Sequence, residues 1–483
     1  MSNEYWKCGA GNYIVAGADC FTSLIGNFID KHNGDTYFND ESVANFLDNS
    51  INKYLYSFGT GLSYKTKKMS PKHSQKIARE IQKISGRPFM KNTDLYIDSG
   101  GFQVAMGAVD TKDMPAFIKT YHDFLVKHHE DFSYAFSLDL PPGPTSAMDI
   151  FDSYEQIEEL NRLSYQASAN LPSEVKDKMV YIHHFRTPSL YRTWSKFLWE
   201  EGLADGFKNF ATGGMVANLS TDSLIPVIIY TIPLSEIVKY AMSKGIKSFN
   251  FHVLGGANYI DVFYHKLFSH HIKKTHDVDV KITYDSSAIF KALAIGRFIP
   301  VFNDDGNLIK MDLKSDCLHQ YIGKQTVNEK VFTLLNEIAL HYGFKELDPE
   351  VDTIYDHEAF EKKENKKPDD RPTFRRSVHM YLIFYMLRMY RELELTSQKV
   401  IDDIYPLYEE GKIEEFDGHC YNLARKFNQG KNTRKQKAKI SSLYKSLNIL
   451  TDMDLEYNEH LINKFMSGDD ISNMDDGVIK FEE

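Results

Sequence analysis

Residues 94–103, DLYIDSGGFQ, decide how the rest of the chain is read. A short β-rich run, Leu95 to Ile97, ends on an acid and drops into two glycines before an aromatic residue and a glutamine. A strand that ends on a polar residue and a glycine turn predicts a βα unit with its functional loop at the strand's carboxyl end. The same rhythm recurs down the chain. β-like runs at 134–138, 179–183, 207–211, 249–254 and 280–284 alternate with segments of 3.6-residue apolar spacing. Those segments include DMPAFIKTYHDFLVKHH, SYEQIEELNRLSYQ, LYRTWSKFLWEEG, LSEIVKYAMSKG and YIDVFYHKLFSHHIKK. Two earlier runs, NYIVAG and KYLYSFG, bring the strands to eight. The expectation is an α/β protein built on a closed (β/α)8 TIM barrel in preference to an open sheet.

Beyond Phe298 the alternation dissolves. The barrel is expected over 1–320 and a connecting segment over 321–374, which contains the charged stretch EKKENKKPDDRP at 361–372. An additional α-rich C-terminal domain is expected at 375–465, opened by the dense run VHMYLIFYMLRMYREL, and an acidic tail at 466–483. With 42% hydrophobic and 13% aromatic residues the chain can bury a large core, which argues against disorder. A net charge of −10 excludes a wholly basic nucleic-acid coat but not a local basic patch. The four cysteines, Cys8, Cys20, Cys317 and Cys420, contain no C-x-x-C pair and are too scattered for a disulfide framework. Together with the lack of a leader-like N-terminus or an apolar run of spanning length, this predicts a cytoplasmic protein with no membrane partner. For a phage-encoded chain the compartment would be the host cytoplasm.

Polar residues and glycines sit where the β-runs end: Asp98, Asp139, His183 with His184, Gly213 with Gly214, Gly255 with Gly256, and Asp285. In a barrel those ends share one rim, where active sites of this fold are assembled. Any one of them alone reads equally well as turn chemistry. Six in succession favour a site.

The stretch Asp98-Ser99-Gly100-Gly101-Phe102-Gln103 resembles the D-S-G-G-F-Q signature of the tRNA-guanine transglycosylase superfamily. SLDLPP around Asp139, FATGGMVA around Gly213, FHVLGGANY around Gly255 and ITYDSSAIF around Asp285 are similar, in order, to that family's base-recognition and nucleophile segments. The likeness covers about residues 90–295, and the D-L-P and D-S-S-A details look closer to the archaeal branch. It implies a barrel enzyme that exchanges guanine in a nucleic acid for a free 7-deazaguanine base such as preQ0. Breaking an N-glycosidic bond builds positive charge at C1′, which a carboxylate can capture as a covalent glycosyl intermediate. The resemblance makes Asp285 that nucleophile and Asp98 the carboxyl that moves protons. It assigns the base to Ser99, Phe102, Gln103, Asp139, His184, Gly213 and Gly214. Phe102 would stack on the ring, Asp139 would accept from its N1–H and 2-amino group, and the glycine backbone would approach O6 or a 7-substituent. Such a base must be flipped out or unpaired.

The chain departs from the family at three places. His183-His184-Phe185 stands where a glutamine is usual, with His184 the one expected toward the base. The structural zinc motif is missing, Cys317 and His319 standing alone, so no metal or other cofactor is expected. The arginines that follow the nucleophile in bacterial members are absent, and so is a segment like the archaeal tRNA-binding domain. These losses make the chain more similar to the DNA-deazaguanine transglycosylases of bacteria and phages, with DNA favoured as partner and tRNA as the alternative. A run from Tyr421 to Leu450 carries eight cations and no acid, and Arg434, Lys435, Lys437 and Lys439 are expected on the nucleic-acid backbone. A solvated helix face is the other reading of that run. Two rival functions remain: a glycoside hydrolase, against which stand only three tryptophans, and a catalytically silent partner subunit, against which stands retention of both Asp98 and Asp285.

Overall fold

The computed structural model describes residues 11–16, 53–86, 93–141, 153–184, 188–213, 225–257, 259–285, 298–302, 308–312, 340, 376–427, 443–444 and 446–466. Eight parallel strands close into a barrel in sequence order. They are β1 (Tyr13–Ala16), β2 (Lys53–Ser57), β3 (Asp94–Asp98), β4 (Tyr134–Phe136), β5 (Met179–His184), β6 (Asn209–Gly213), β7 (Ser248–Val253) and β8 (Asp279–Asp285). The helices between them are α1 (His73–Ser85), α2 (Met114–Lys127), α3 (Tyr154–Ala169), α4 (Pro188–Trp199), α5 (Ile225–Ser243) and α6 (Tyr259–His276). The expected (β/α)8 barrel with helical C-terminal segments is thus the observed architecture.

Strand alternation sorts the side chains into two sets. Ile14, Ala16, Leu55, Tyr96, Phe136, Val180, Ile182 and Ala211 cluster in the lumen, while Tyr13, Val15, Tyr54, Tyr56, Leu95, Ile97, Tyr181 and Phe210 belong to the layer under the helices. Stacked Tyr96 and Tyr134, 4.7 Å between centroids, help fill the lumen. This plug leaves the carboxyl ends of the strands as the open end. Two residues beyond the lumen-facing Leu55, Tyr96, Ile182 and Ala211 stand Ser57, Asp98, His184 and Gly213, so the same parity aims these at the rim.

The helices follow from apolar spacing. In α1 the buried residues His73, Ile77, Ala78, Ile81 and Ile84 form one stripe, and Lys72 just ahead of it is exposed. Ser153 caps α3, its side chain accepting from Gln156 N–H at 3.2 Å. Helix α5 begins well before the LSEIVKYAMSKG segment and runs through Pro233. Its amphipathic signal is blurred because Ile232, Leu234, Ser235, Glu236, Ile237 and Val238 are all buried.

Past the barrel the structure holds an element that the sequence pattern did not announce, an antiparallel hairpin of β9 (Phe298–Phe302) and β10 (Leu308–Asp312). The C-terminal helices α7 (Arg376–Glu409), α8 (Ile413–Phe427) and α9 (Leu455–Met466) pack on the barrel and share its core. Helix α7 lies along α6 and over the β8–β1 seam, the place that an eighth helix holds in this fold. There Tyr390 stacks on Tyr13 at 4.3 Å and donates to Ala257 O at 2.7 Å. Buried Glu394 accepts from Asn12 N at 2.6 Å and from Tyr284 OH at 2.8 Å, joining the two strands that close the cylinder. Gly11 is required beside it: its φ is +64°, and a Cβ there would collide with the Glu394 carboxylate.

Candidate active site

Asp98 ends β3. Behind it, Ser57 at the end of β2 accepts from Gly59 N at 3.1 Å, leaving its hydroxyl proton to donate to the Asp98 carboxyl. Gly100, at φ +85°, presses so closely on Gly59 that a Cβ would come within 2.6 Å of Gly59 N. The carboxyl is pushed up to about 6, chiefly by burial and further by the charges of Asp139 and Asp285, against the hydrogen bonds from Ser57 and the Gly100 backbone. A proton exchanging near pH 6 suits a group that must both give and take it. The charges of Asp139 and Asp285 reach Asp98 because β3, β4 and β8 end on the same rim of the barrel.

Asp139 stands just past β4 and is held from behind by α3. Ser164 Oγ donates to Leu138 O at 2.7 Å, and Asn161 bonds both the N–H and the carbonyl of Leu140 at 2.8 and 3.0 Å, so Asp139 is clamped on either side. In front, its Oδ2 lies 2.5 Å from His184 Nε2, and its Oδ1 lies over Gly101. A carboxylate can only accept, so the proton is on His184 Nε2. His184 is in turn backed by Trp194 at 5.2 Å, whose indole N–H donates to Tyr165 at 2.9 Å, and Tyr165 donates to Ile182 O at 2.6 Å. Gly213 completes this corner: a Cβ on it would come within 2.9 Å of His184 Nε2. The closest fit is at Gly101, where a Cβ would strike the Asp139 carbonyl and come within 2.8 Å of its Oδ1. Gly101→Ala is therefore expected to cost about 1–3 kcal/mol in a melting experiment, as overpacking does, and to displace Asp139. An unchanged melting temperature would mean that the two segments are not in this contact.

Asp285 ends β8 with one oxygen anchored. Oδ1 accepts from Gly255 N at 2.9 Å and faces His252 Nε2 at 3.1 Å, while His252 Nδ1 meets the Thr283 hydroxyl at 3.0 Å. With the proton on Nε2 both ring nitrogens are used, His252 donating to Asp285 and accepting from Thr283. Oδ2 has no hydrogen bond among the described residues, so within them the carboxylate is anchored through one oxygen alone.

Of the remaining expected residues, Ser99 is fully buried and accepts from Gly101 N at 3.3 Å, which stiffens the turn. Phe102 is 53% exposed, an open aromatic face beside Asp98. Gln103 lies against Gly59, and its Oε1 is buried without a partner among the described residues, as is His184 Nδ1. Buried unpaired groups of this kind are what a polar ligand satisfies. His183 faces the other way, as strand alternation requires. Its Nδ1 donates to His184 O at 3.1 Å and its Nε2 lies 2.9 Å from buried Glu236. Burial works to raise Glu236, but the neighbouring His183 ring and the hydrogen bond from Trp199 outweigh it and hold the carboxyl below its usual range. Gly214, Arg434, Lys435, Lys437 and Lys439 lie outside the described residues.

Two members of the site were not singled out from the sequence, Ser57 and His252; Gly255 is marked there as a strand-end glycine, and its backbone N–H on Asp285 is what the structure adds. The signal for His252 was present, since FHVL alternates and His252 shares lumen parity with Asn250. Nothing marked Ser57, a small polar residue at the end of KYLYS.

The rim thus combines a desolvated acid, a carboxylate anchored through one oxygen, and a carboxylate–imidazole corner with an exposed aromatic ring at its side. No family model, curated protein or solved structure matches the chain.

Proposed function

We propose that the chain is a base-exchange transglycosylase that replaces guanine in a nucleic acid, DNA in preference to tRNA, by a 7-deazaguanine such as preQ0. The observation that carries this reading is the contrast between two acids on one rim. Asp98 is desolvated and pushed up to about 6, whereas Asp285 is fed by two donors on one oxygen and, among the described residues, by none on the other. A desolvated acid able to exchange its proton, beside a carboxylate anchored through one oxygen, divides acid–base work from nucleophilic work.

In the first half-reaction Asp285 Oδ2 attacks C1′ of the flipped nucleotide. The C1′–N9 bond breaks, a C1′–O bond to Asp285 forms, and protonated Asp98 delivers its proton to the departing guanine. In the second, N9 of the incoming base attacks C1′, Asp285 leaves as a carboxylate, and the N9 proton passes to Asp98, which is again neutral. Phe102 offers its ring to the base face, and Asp139 Oδ1, which the His184 contact leaves available, accepts from the base edge. Exchange runs toward the deazaguanine because carbon at position 7 cannot be protonated to make a good leaving group.

The preference for DNA rests on the missing zinc motif and the missing arginines after Asp285. The test is incubation with labelled preQ0 and either DNA or tRNA. Label retained by DNA supports the whole reading, label in tRNA moves it to the other polymer, and label in neither overturns it. Asp139→Ala should weaken free-base binding by about 1.5–3 kcal/mol, the worth of a hydrogen bond to a charged group, while affecting bond cleavage less. Free-base affinity equal to wild type in calorimetry would remove Asp139 from base recognition.

A further inference from the structure

Beside the rim lies a charged surface to which the base-exchange reading gives no role. From Lys65 to Arg79 the chain carries Lys65, Lys67, Lys68, Lys72, Lys76 and Arg79 and not one aspartate or glutamate. All six side chains are exposed, and none has an ion-pair partner among the described residues. In a protein of net charge −10 this is a local reversal of sign, not a reflection of the average.

Its place in the fold is fixed by three contacts. Phe58 N donates to Asp98 O at 2.7 Å, and Gly59 packs on Gly100, so the loop after β2 starts against the turn that follows Asp98. Further on, Asp110 N donates to Lys67 O at 3.2 Å, tying the middle of the lysine loop to the segment after that turn. Large apolar groups are exposed on the same two segments: Tyr64 at 52% on the loop, and Met106 at 44% one turn beyond Phe102. Exposed aromatic and apolar groups amid unpaired cations are the composition of a surface that tracks single-stranded nucleic acid, bases on the rings and phosphates on the cations. Extruding one nucleotide unstacks its neighbours, which then need such a platform.

We propose that the loop after β2 and the turn after β3 form the docking surface for the phosphodiester backbone of an unpaired nucleic-acid segment, with Lys65, Lys67, Lys68, Lys72 and Lys76 on phosphates and Tyr64 and Met106 against the bases flanking the extruded one. The inference rests on the base-exchange reading for what enters the pocket, but its charge chemistry stands separately.

The test uses the full chain and a fluorescent single-stranded oligonucleotide, in DNA and RNA forms, titrated over a series of salt concentrations. The variant is Lys65→Glu/Lys68→Glu/Lys72→Glu, which spares Lys67 with its left-handed backbone at φ +49°. The control is Lys247→Glu/Lys274→Glu at the opposite end of the barrel. The triple variant should bind more weakly and lower the log–log salt slope by about 2, at roughly 0.7 per lost single-strand contact. Tyr64→Ser should weaken binding roughly 5- to 150-fold without changing the slope, the signature of lost stacking. Binding of preQ0 should be unchanged in both. An unchanged slope in the triple variant, an equal loss in the control, or polyglutamate of matched charge bound as tightly as the oligonucleotide would overturn the docking surface. Failure of the reading beneath it looks different: wild type would bind the oligonucleotide through these lysines yet incorporate no label from preQ0.

Discussion

Replacing Asp285 by asparagine is expected to abolish the covalent protein–nucleic acid adduct and to lower base exchange by about 10⁴-fold or more, the scale seen when a nucleophile is deleted. The argument is geometric. Oδ1 already serves Gly255 N and His252, and an asparagine carbonyl can take over both roles, so the substitution replaces only the second oxygen. A neutral amide in that position is a far poorer nucleophile toward an electron-deficient C1′. The fold should survive, because the residue sits at a strand end and keeps its anchoring bonds. The measurement is a denaturing gel after incubation with oligonucleotide and no incoming base, paired with a thermal melt. An adduct retained in the variant, or mapped to another residue, would take Asp285 out of its role.

Asp98→Asn should act on rate and stability in opposite directions. Exchange should fall about 10²–10⁴-fold, since one group serves proton transfer in both half-reactions. Stability should rise at pH 8. The sign follows from linkage: a carboxyl raised from 3.8 to about 6 favours folding most below its unfolded value and loses that contribution as pH climbs through 6. Above pH 7 the buried charge costs the wild type about 2–3 kcal/mol, taking roughly 1.4 kcal/mol per unit and discounting for the part of the side chain that solvent reaches. The variant escapes that cost. Melting temperatures from pH 4.5 to 8.5 should therefore diverge with rising pH, the variant higher, and converge toward the acid end. A wild type that stays the more stable at pH 8 would show that Asp98 is not held against its charge.

The barrel was legible because its information is local and repeated. Strand alternation and 3.6-residue spacing recur in each βα unit, and the acids at strand ends can go only to the rim. The same alternation separates His183 from His184, a distinction that residue type alone does not make. What was not legible depends on pairing across distance. His252 matters only because Thr283 and Asp285 lie across from it, and Ser57 only because Asp98 is its neighbour in register. Only the second half of α5 is legible in the sequence, because burial of every residue from 230 to 238 erases periodicity there. The β9–β10 hairpin is silent in the sequence because FIPVF gives no clean alternation. That Tyr390 and Glu394 of the C-terminal helices face β1 and β8 is likewise written nowhere in their own helix.

That placement sets the order in which the molecule can be made. Strands β1 and β8 meet across a seam that Glu394 ties from both sides, yet Glu394 leaves the ribosome about a hundred residues after Asp285. At synthesis rates of roughly 5–20 residues per second, the nascent chain spends on the order of 5–20 s with all eight strands present and the seam unsecured. Through that interval two strand edges can pair with other chains. The helix that finishes the cylinder thus decides when, during translation, the protein is exposed to misassembly, and slowing translation ahead of Glu394 would lengthen that exposure without changing the finished fold.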